Sequence, residues 1–310
     1  MKVLVTGGAG FIGSHLCRHL LQKGYSVTCL DNLNTGFKQN IDFFHSYPEF
    51  SFIEADVRDE INIDVDVVFN LACPASPSAY QKDPIGTLMT NVVGTFNVLN
   101  LAMRCGATVI QASTSEVYGD PDVHPQSEKY WGNVNPIGLR SCYDEGKRAA
   151  ETLCFDFMRT KNLSVKVARI FNTYGPGMDV DDGRVISNFI VQALRGDPIL
   201  VFGDGTQTRS FCYVDDLVKG IILLSESDTA ISGPINIGNP TETSIIELAH
   251  IVKKLTKSSS SIEYRYLPED DPKKRKPDIS QAIDLLLWQP EISLDDGIAS
   301  AIDHFRKIIK

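Results

Sequence analysis

The chain has 310 residues, a length that suits one large domain or about two ordinary ones. Hydrophobic residues make up 43% and charged residues 22%, which fits a folded globular chain and sets aside disordered, collagen-like and disulfide-scaffold classes. Thirty basic against thirty-nine acidic side chains leave a net charge of -9, so a global basic footprint for nucleic acid is absent and any polyanion would need a local basic pocket.

Lys2 to Thr6 is a short apolar run that ends in Gly7-Gly8-Ala9-Gly10-Phe11-Ile12-Gly13. Beyond it Ile12, Leu16, Leu20 and Leu21 recur at helical spacing until Gly24, so the chain opens as strand, glycine turn and helix. Val27 to Leu30, closed by Asp31, predicts a second strand and Phe52 to Ala55 a third. Val65 to Ala72 predicts a fourth, apolar enough to be buried on both faces. Leu88, Val92, Phe96, Leu99 and Ala102 trace one helical stripe up to Gly106. Thr108 to Ala112 follows as a fifth strand, Tyr143 to about Lys161 as another helix, and Val165 to Ile170 as a sixth strand.

This alternation predicts an α/β fold, a doubly wound parallel Rossmann sheet over residues 1–171, to which 212–236 return. Residues 172–211 and 237–310 are expected to form a smaller mixed α/β C-terminal lobe. Glycine and proline become denser between Asn172 and Cys212, with no internal repeat and no flexible linker. Ser244-Ile245-Ile246-Glu247 and Ser293-Leu294-Asp295-Asp296 read as capping boxes that open late helices. Ser258 to Ser261 and Lys273 to Lys276 are biased but too short to be tails. The N-terminus carries no signal-like apolar region, and no apolar run approaches the roughly 18 residues that span a bilayer, so no membrane role and a cytoplasmic location are expected. Seven cysteines, 17, 29, 73, 105, 142, 154 and 212, are scattered without a C-x-x-C, which predicts reduced thiols.

A glycine turn leading from a strand into a helix lets backbone N–H groups and the helix dipole meet a pyrophosphate without side-chain obstruction. Gly7, Gly10 and Gly13 meet that need, and Asp31 ends the next strand where a carboxylate can accept both ribose hydroxyls of adenosine. The same carboxylate would repel a 2′-phosphate, so NAD is expected rather than NADP. Tyr143 and Lys147 are four residues apart and share a helix face. As an acid/base pair they would need the phenol brought down from near pH 10, a task for the neighbouring ammonium and a cationic nicotinamide. A surface lysine on an amphipathic helix gives the same spacing. Ser113-Thr114-Ser115-Glu116 follow the fifth strand at the sheet edge where open α/β folds bind ligands, although hydroxyls are also common turn residues. Arg140, Arg184, Arg209 and Arg275 sit beside glycine, proline or hydroxyl residues and could hold phosphate or carboxylate, or be solvated. In the basic run Lys273-Lys274-Arg275-Lys276, a solvated loop with one functional arginine suits the acidic background better than a nucleic-acid patch. His15 and His19 are spaced as in a zinc-protease helix, but Leu16 takes the place of the glutamate and no third ligand lies nearby, so no metal is expected.

Together these residues make the chain resemble an extended short-chain dehydrogenase/reductase and, among those, the UDP-glucuronic acid decarboxylases. The resemblance covers almost the whole chain. It is carried by Thr6 to Gly13, Ala72-Cys73-Pro74-Ala75-Ser76-Pro77 with Tyr80, Ser113 to Gly119, Asn135-Pro136-Ile137-Gly138 with Arg140, and Tyr143-Asp144-Glu145-Gly146-Lys147-Arg148. Further on it is carried by Arg169 to Thr173, Asp182-Gly183-Arg184-Val185, Thr206 to Phe211 and Arg275-Lys276-Pro277. It implies Tyr143 as the acid/base, Lys147 as its partner and ribose anchor, and Thr114 as donor to the reacting oxygen. Ser115 and Glu116 match residues implicated in decarboxylation, and Arg275 an arginine near the substrate carboxylate or diphosphate.

NAD would be lined by Gly7, Gly10, Phe11, Ile12, Gly13 and Asp31, then by Asn32, Asn34, Thr35 and Gly36, and by Asp56, Val57, Leu71 and Ala72. Pro77, Tyr80, Arg140, Asn172, Arg184, Val185, Arg209 and Arg275 would contact the sugar nucleotide. The implied reaction oxidises C4 of UDP-glucuronate with NAD, releases carbon dioxide from the β-keto acid, protonates C5 and returns the hydride, giving UDP-xylose. Glu116, Arg275 or a water they hold could deliver the C5 proton. Sister 4,6-dehydratases resemble Thr-Asp-Glu where this chain has Ser115, and 4-epimerases usually lack the glutamate. A regulator that senses the dinucleotide without turnover tends to lose the Tyr/Lys pair, which is present. Met89 and Gly177 stand where that family commonly has lysine and arginine, each removing a positive charge. Relatives generally pair through the helices around Tyr143, so a homodimer is expected.

Overall fold

The computed structural model describes residues 1–266 and 274–309; Lys273, the first residue of the basic run, lies outside them. The chain opens as β1 (Lys2–Thr6), α1 (Phe11–Gln22), β2 (Ser26–Asp31), β3 (Phe50–Glu54) and β4 (Val67–Asn70). Then come α2 (Pro77–Tyr80), α3 (Pro84–Met89), a π-helical turn Thr90–Gly94, and α4 (Thr95–Cys105). β5 (Thr108–Thr114), α5 (Ser141–Lys161) and β6 (Val165–Ile170) follow. β-branched and apolar residues fill these strands, and β4 is buried at all four positions, as a parallel strand covered on both faces requires.

The helical stripe through Leu88, Val92, Phe96, Leu99 and Ala102 does not stay on one side. Leu88 and Phe96 are exposed, whereas Leu99 and Ala102 are fully buried. The π turn between α3 and α4 inserts a residue into the helical phase, so the apolar face rotates as it passes Gly94. The whole stretch Pro84–Cys105, 22 residues at hydropathy 1.2, is long and apolar enough for a membrane span by length and composition, which the sequence reading did not register. Here it packs on β4, β5 and α5.

The remainder contains β7 (Thr173–Tyr174), α6 (Val185–Arg195), β8 (Ile199–Phe202), β9 (Thr208–Ser210), β10 (Cys212–Tyr213), α7 (Val214–Glu226) and β11 (Ile235–Ile237). It ends with β12 (Glu242–Ser244), α8 (Ile245–Thr256), β13 (Ile262–Arg265), β14 (Lys274–Arg275), α9 (Ser280–Leu286) and α10 (Leu294–Ile308). α6 lies in a stretch that the sequence marked only by denser glycine and proline; Ile186, Phe189, Ile190 and Ala193 bury its inner face. Ser244 and Glu247 form a reciprocal capping box at α8, and the Ser293 hydroxyl caps α10 by accepting from the Asp296 N–H.

The main sheet has seven parallel strands in the order β3-β2-β1-β4-β5-β6-β11. The order reverses between β1 and β4, where Thr6 pairs with Asn70, so the carboxyl ends of β1, β4 and β5 open onto one crevice. Two small sheets, β12-β9-β14 and β13-β8, contribute Leu200, Phe202, Arg209 and Arg275 to the lining of that crevice.

Candidate active site

One continuous cavity of about 880 Å³ runs from the β1–α1 turn to Arg275. It is lined by every site residue expected from the sequence except Gly36, which instead packs behind Asp31: a Cβ there would lie 2.9 Å from both carboxylate oxygens. Met89 and Gly177, the two departures from the family pattern, do not line it.

The glycine turn is shaped for a close approach. Gly7 has φ +70, which favours a residue without Cβ, and a Cβ on Gly13 would lie 2.1 Å from the Gly7 carbonyl oxygen. α1 begins with no side-chain cap and no acidic residue in its first turn, so its N–H groups and dipole face the cavity uncompensated by side chains. Asp31, buried at the end of β2, accepts from the Ala9 N–H at 3.0 Å and the Leu33 N–H at 2.9 Å. Burial pushes its pKa up, and those backbone donors pull it back. Asp56 is engaged by Arg58 through three bonds, one from the backbone N–H and two from the guanidinium, and by Asn32 at 2.9 Å, and the Arg58 guanidinium lowers it to about 2. This cradle, with its bare helix N-terminus and buried acid, fits a dinucleotide whose pyrophosphate meets the turn and whose ribose meets Asp31.

At the crevice floor β5 extends through Ser113 and Thr114, two residues further than expected, and a 3-10 turn carries Ser115 and Glu116. Thr114 lies beside the Tyr143 phenol and acts to lower its pKa, and the Tyr143 ring stacks on Tyr80 with centroids 5.2 Å apart and planes 7° from parallel. Lys147 Nζ donates to the Ala112 carbonyl at 2.9 Å and lies 5.8 Å from the Tyr143 ring centre. The sequence led us to expect the ammonium to acidify the phenol. Instead burial, reinforced by the nearby Cys73 thiol, pushes the Tyr143 pKa far up, while burial pulls Lys147 down. In a low-dielectric pocket desolvation outweighs an ammonium whose hydrogen bond is directed at a carbonyl, so the chain alone keeps the phenol neutral.

Beside it lies a cluster of charges. Glu116 Oε2 accepts from Arg140 Nη2 at 2.5 Å and Arg275 Nη2 at 3.2 Å, and Arg275 Nη1 donates to the Ser115 carbonyl at 2.9 Å. Burial raises the Glu116 pKa, but Arg275, Arg140 and Arg209 together bring it below the usual carboxylate range, so Glu116 is ionised at neutral pH. As the C5 proton donor it is therefore the wrong protonation state. Ser115 Oγ is buried and 3.5 Å from Glu116 Oε1. Arg184 is locked by a bidentate pair with Asp182 at 2.6 and 2.7 Å, and its guanidinium sits 5.8 Å from the Phe11 ring centre. That places it over the glycine-turn side of the cavity. Asn172, Val185, Pro77 and Arg209 line the same cavity.

Three features escaped the sequence reading. Asp144, next to Tyr143, is buried with Oδ1 unpartnered, and burial together with Glu116 pushes its pKa up to about 7. Glu151 accepts from Ser113 Oγ at 2.5 Å and from Arg169 at 2.9 and 2.7 Å, a buried pair beneath the catalytic strand. Both acids sit inward on α5, a placement that its helical phase could have exposed. The third, Gln126, carries no charge and no motif. His15 and His19 both lie 3.2 Å from Asp215, which Arg18 also reaches at 2.7 Å, and His15 Nε2 is 2.8 Å from the Pro176 carbonyl.

A model of the NAD dependent epimerase/dehydratase family matches residues 3–238. UDP-glucuronic acid decarboxylase 2 of Arabidopsis thaliana is 54% identical over 307 residues, which span 99% of this chain and 68% of that protein. UDP-glucuronic acid decarboxylase 1 of Xenopus tropicalis is 52% identical over 306 residues, 99% of this chain and 72% of that one. Among solved structures, the UDP-glucose 4-epimerase of Thermotoga maritima with UDP-glucose superposes with TM-score 0.92 at 30% identity, covering 100% of both chains. A UDP-glucuronic acid 4-epimerase mutant from Bacillus cereus, bound to a fluorinated UDP-glucuronic acid and NAD, gives TM-score 0.89 at 31% identity over 99% of this chain and 100% of that one. The chain belongs to the NAD dependent epimerase/dehydratase family, in the branch of the UDP-glucuronic acid decarboxylases.

Proposed function

We infer that the protein is a UDP-glucuronate decarboxylase that converts UDP-glucuronate to UDP-xylose with NAD as a recycled cofactor. The observation that carries this reading is the ionised Glu116 held between Arg275 and Arg140, beside Tyr143 and Thr114, in a chain more than half identical to such decarboxylases.

Bound NAD would supply a reversible hydride acceptor for C4, so the reaction would have no net oxidation. Gly7, Gly10 and Gly13 with Phe11 and Ile12 would hold its pyrophosphate, Asp31 its adenosine ribose, and Lys147 its nicotinamide ribose. Asn32, Asn34, Thr35, Asp56, Val57, Leu71 and Ala72 shape the rest of that cleft, and Gly36 gives Asp31 room. The N-terminal and returning strands thus form a cofactor domain, and residues 172–211 with 237–310 contribute the nucleotide-sugar side.

With the positive charge of a bound nicotinamide added to that of Lys147, the Tyr143 phenol would ionise and could then take the C4 hydroxyl proton, while Thr114 donates to the same oxygen. With a carbonyl at C4 the C5 carboxylate becomes a β-keto acid, and its loss leaves an electron pair that settles on the C4 oxygen as an enolate. Tyr143 and Thr114 are placed to hold that oxyanion, a contribution of roughly 3–4 kcal/mol for a preorganised donor. Glu116 disfavours a second carboxylate beside it, so departure as neutral carbon dioxide relieves the repulsion, and Arg275 keeps Glu116 and the sugar in register. Pro77, Tyr80, Arg140, Asn172, Arg184, Val185 and Arg209 hold the sugar and diphosphate, with Ser115 at the carboxylate. A water held by the Glu116–Arg275 pair is the proton source at C5.

4-Epimerisation is the competing reading, favoured by a structural relative that binds a UDP-glucuronic acid analogue. Incubation with UDP-glucuronate and NAD, followed by mass analysis of the sugar nucleotide, separates them: decarboxylation removes the mass of carbon dioxide, and an unchanged mass sinks it.

The exposed Ile85, Met89, Phe96 and Met103 on α3 and α4 support a homodimer that covers this face; a monomer mass in solution would refute it. Seven unpaired thiols support a cytoplasmic location.

A further inference from the structure

Arg275 reaches the site from β14, which is two residues long, and so short a strand has little hold of its own. On one side β9 pairs with it, Arg275 opposite Arg209, and Ser210 Oγ donates to the Arg275 carbonyl at 3.2 Å. On the other side stands Gln126, fully buried and not part of the cavity wall. Its backbone N–H donates to the Lys276 carbonyl at 2.9 Å, and its side-chain Oε1 accepts from the Lys276 N–H, also at 2.9 Å. One residue thus grips both backbone groups of the position next to Arg275. Its Nε2 donates to the Val123 carbonyl at 2.8 Å, and its own carbonyl accepts from the Asp278 N–H at 2.9 Å and Asn236 Nδ2 at 3.0 Å.

Strand side chains alternate, so the rotation of β14 about its axis decides which side chain enters the site. In the observed rotation Arg275 points inward and is 1% exposed, while Lys276 points outward to Glu242 at 3.4 Å. A turned or slipped strand would withdraw the forked guanidinium that meets Ser115 and Glu116 together, and a lysine could not replace its two directed donors.

We propose that Gln126 is a positioning residue for decarboxylation: its two-point grip on Lys276 holds β14 in the rotation that delivers Arg275 to Ser115 and Glu116. The proposal rests on the role given above to Arg275 and Glu116. A buried amide that merely satisfied its surroundings would affect folding; one that aims Arg275 must affect turnover through Arg275 alone. Misplacement of a reacting-site group by about 1 Å costs on the order of 100-fold in rate.

The test is a cycle of four proteins: wild type, Gln126→Met, Arg275→Lys and the double variant, each assayed for UDP-xylose formation from UDP-glucuronate. Methionine keeps the volume and apolar packing but cannot accept the Lys276 N–H. Turnover is expected to fall on the order of 100-fold in the wild-type background, and by less than about threefold in the Arg275→Lys background. NAD content, measured on denatured protein, is expected to be unchanged. Wild-type turnover in Gln126→Met, or the same fall in both backgrounds, overturns the proposal. If Gln126→Met does not fold, Gln126→Asn, which keeps the backbone bonds but is one methylene too short to reach Lys276, is read by the same two criteria. Failure of the wild type itself to form UDP-xylose would overturn the underlying function instead.

Discussion

Arg275 Nη2 lies 3.2 Å from Glu116 Oε2 although the two residues are 159 positions apart in sequence, one on a two-residue strand and the other on a 3-10 turn. The pair joins the two sides of the crevice. Replacing Glu116 by glutamine leaves Arg275 and Arg140 without their shared anion. Breaking a buried pair costs about 3–5 kcal/mol when water is excluded, and cavity access reduces that to roughly 1–3 kcal/mol here. The Glu116 pKa is lowered on folding, so the stabilisation is present above the unfolded value and is lost as pH falls through the folded one. The melting temperature of Glu116→Gln should therefore approach that of wild type as the solution is made acidic, and a gap independent of pH would contradict this pairing.

Tyr143→Phe removes the hydroxyl but keeps the ring that stacks on Tyr80. Turnover should fall by about 10²–10⁴, with NAD content of the purified protein unchanged. Wild-type turnover in this variant would exclude the phenol as the base.

Asp31 accepts two backbone N–H groups and lines the cavity. Asp31→Asn keeps an acceptor oxygen but removes the repulsion of a 2′-phosphate. The preference for NAD over NADP should shrink by about 10- to 100-fold, the value of one charged hydrogen bond; binding constants for both dinucleotides measure it, and an undiminished preference would place the discrimination elsewhere.

Asp144 binds its proton more tightly folded than unfolded, because burial and Glu116 push its pKa up to about 7. The folded state then holds the extra proton between the unfolded carboxylate pKa and about 7, so this group makes stability decline as pH rises across that window. Asp144→Asn should gain stability relative to wild type on going from about pH 5 to about pH 8, by roughly 1–3 kcal/mol. Thermal melts at the two pH values check the sign; a gain confined to the acid side would refute it.

The strand–turn–helix opening, Asp31 at the end of β2 and the buried run of β4 were readable in the sequence because each depends on neighbours in the chain. Hydrophobic periodicity, glycine spacing and strand-end acids are local signals. The helical stripe through Leu88 and Phe96 misled because a single π turn changes the phase, and no residue type marks such a turn. α6 was hidden because its flanking glycines and prolines dominated the composition of its surroundings.

Residue type and order were enough to place the chemistry-bearing groups at the sheet edge. They could not say which of those groups would be ionised. A tyrosine four residues from a lysine looks activated, yet burial keeps the Tyr143 phenol neutral and turns the Lys147 ammonium to Ala112. A glutamate beside a serine looks like a proton donor, yet three arginines brought from distant segments keep Glu116 charged. Protonation state depends on dielectric and on charges within a few ångströms. Those neighbours are assembled by long-range strand pairing and by grips such as that of Gln126 on Lys276, none of which leaves a pattern along the chain.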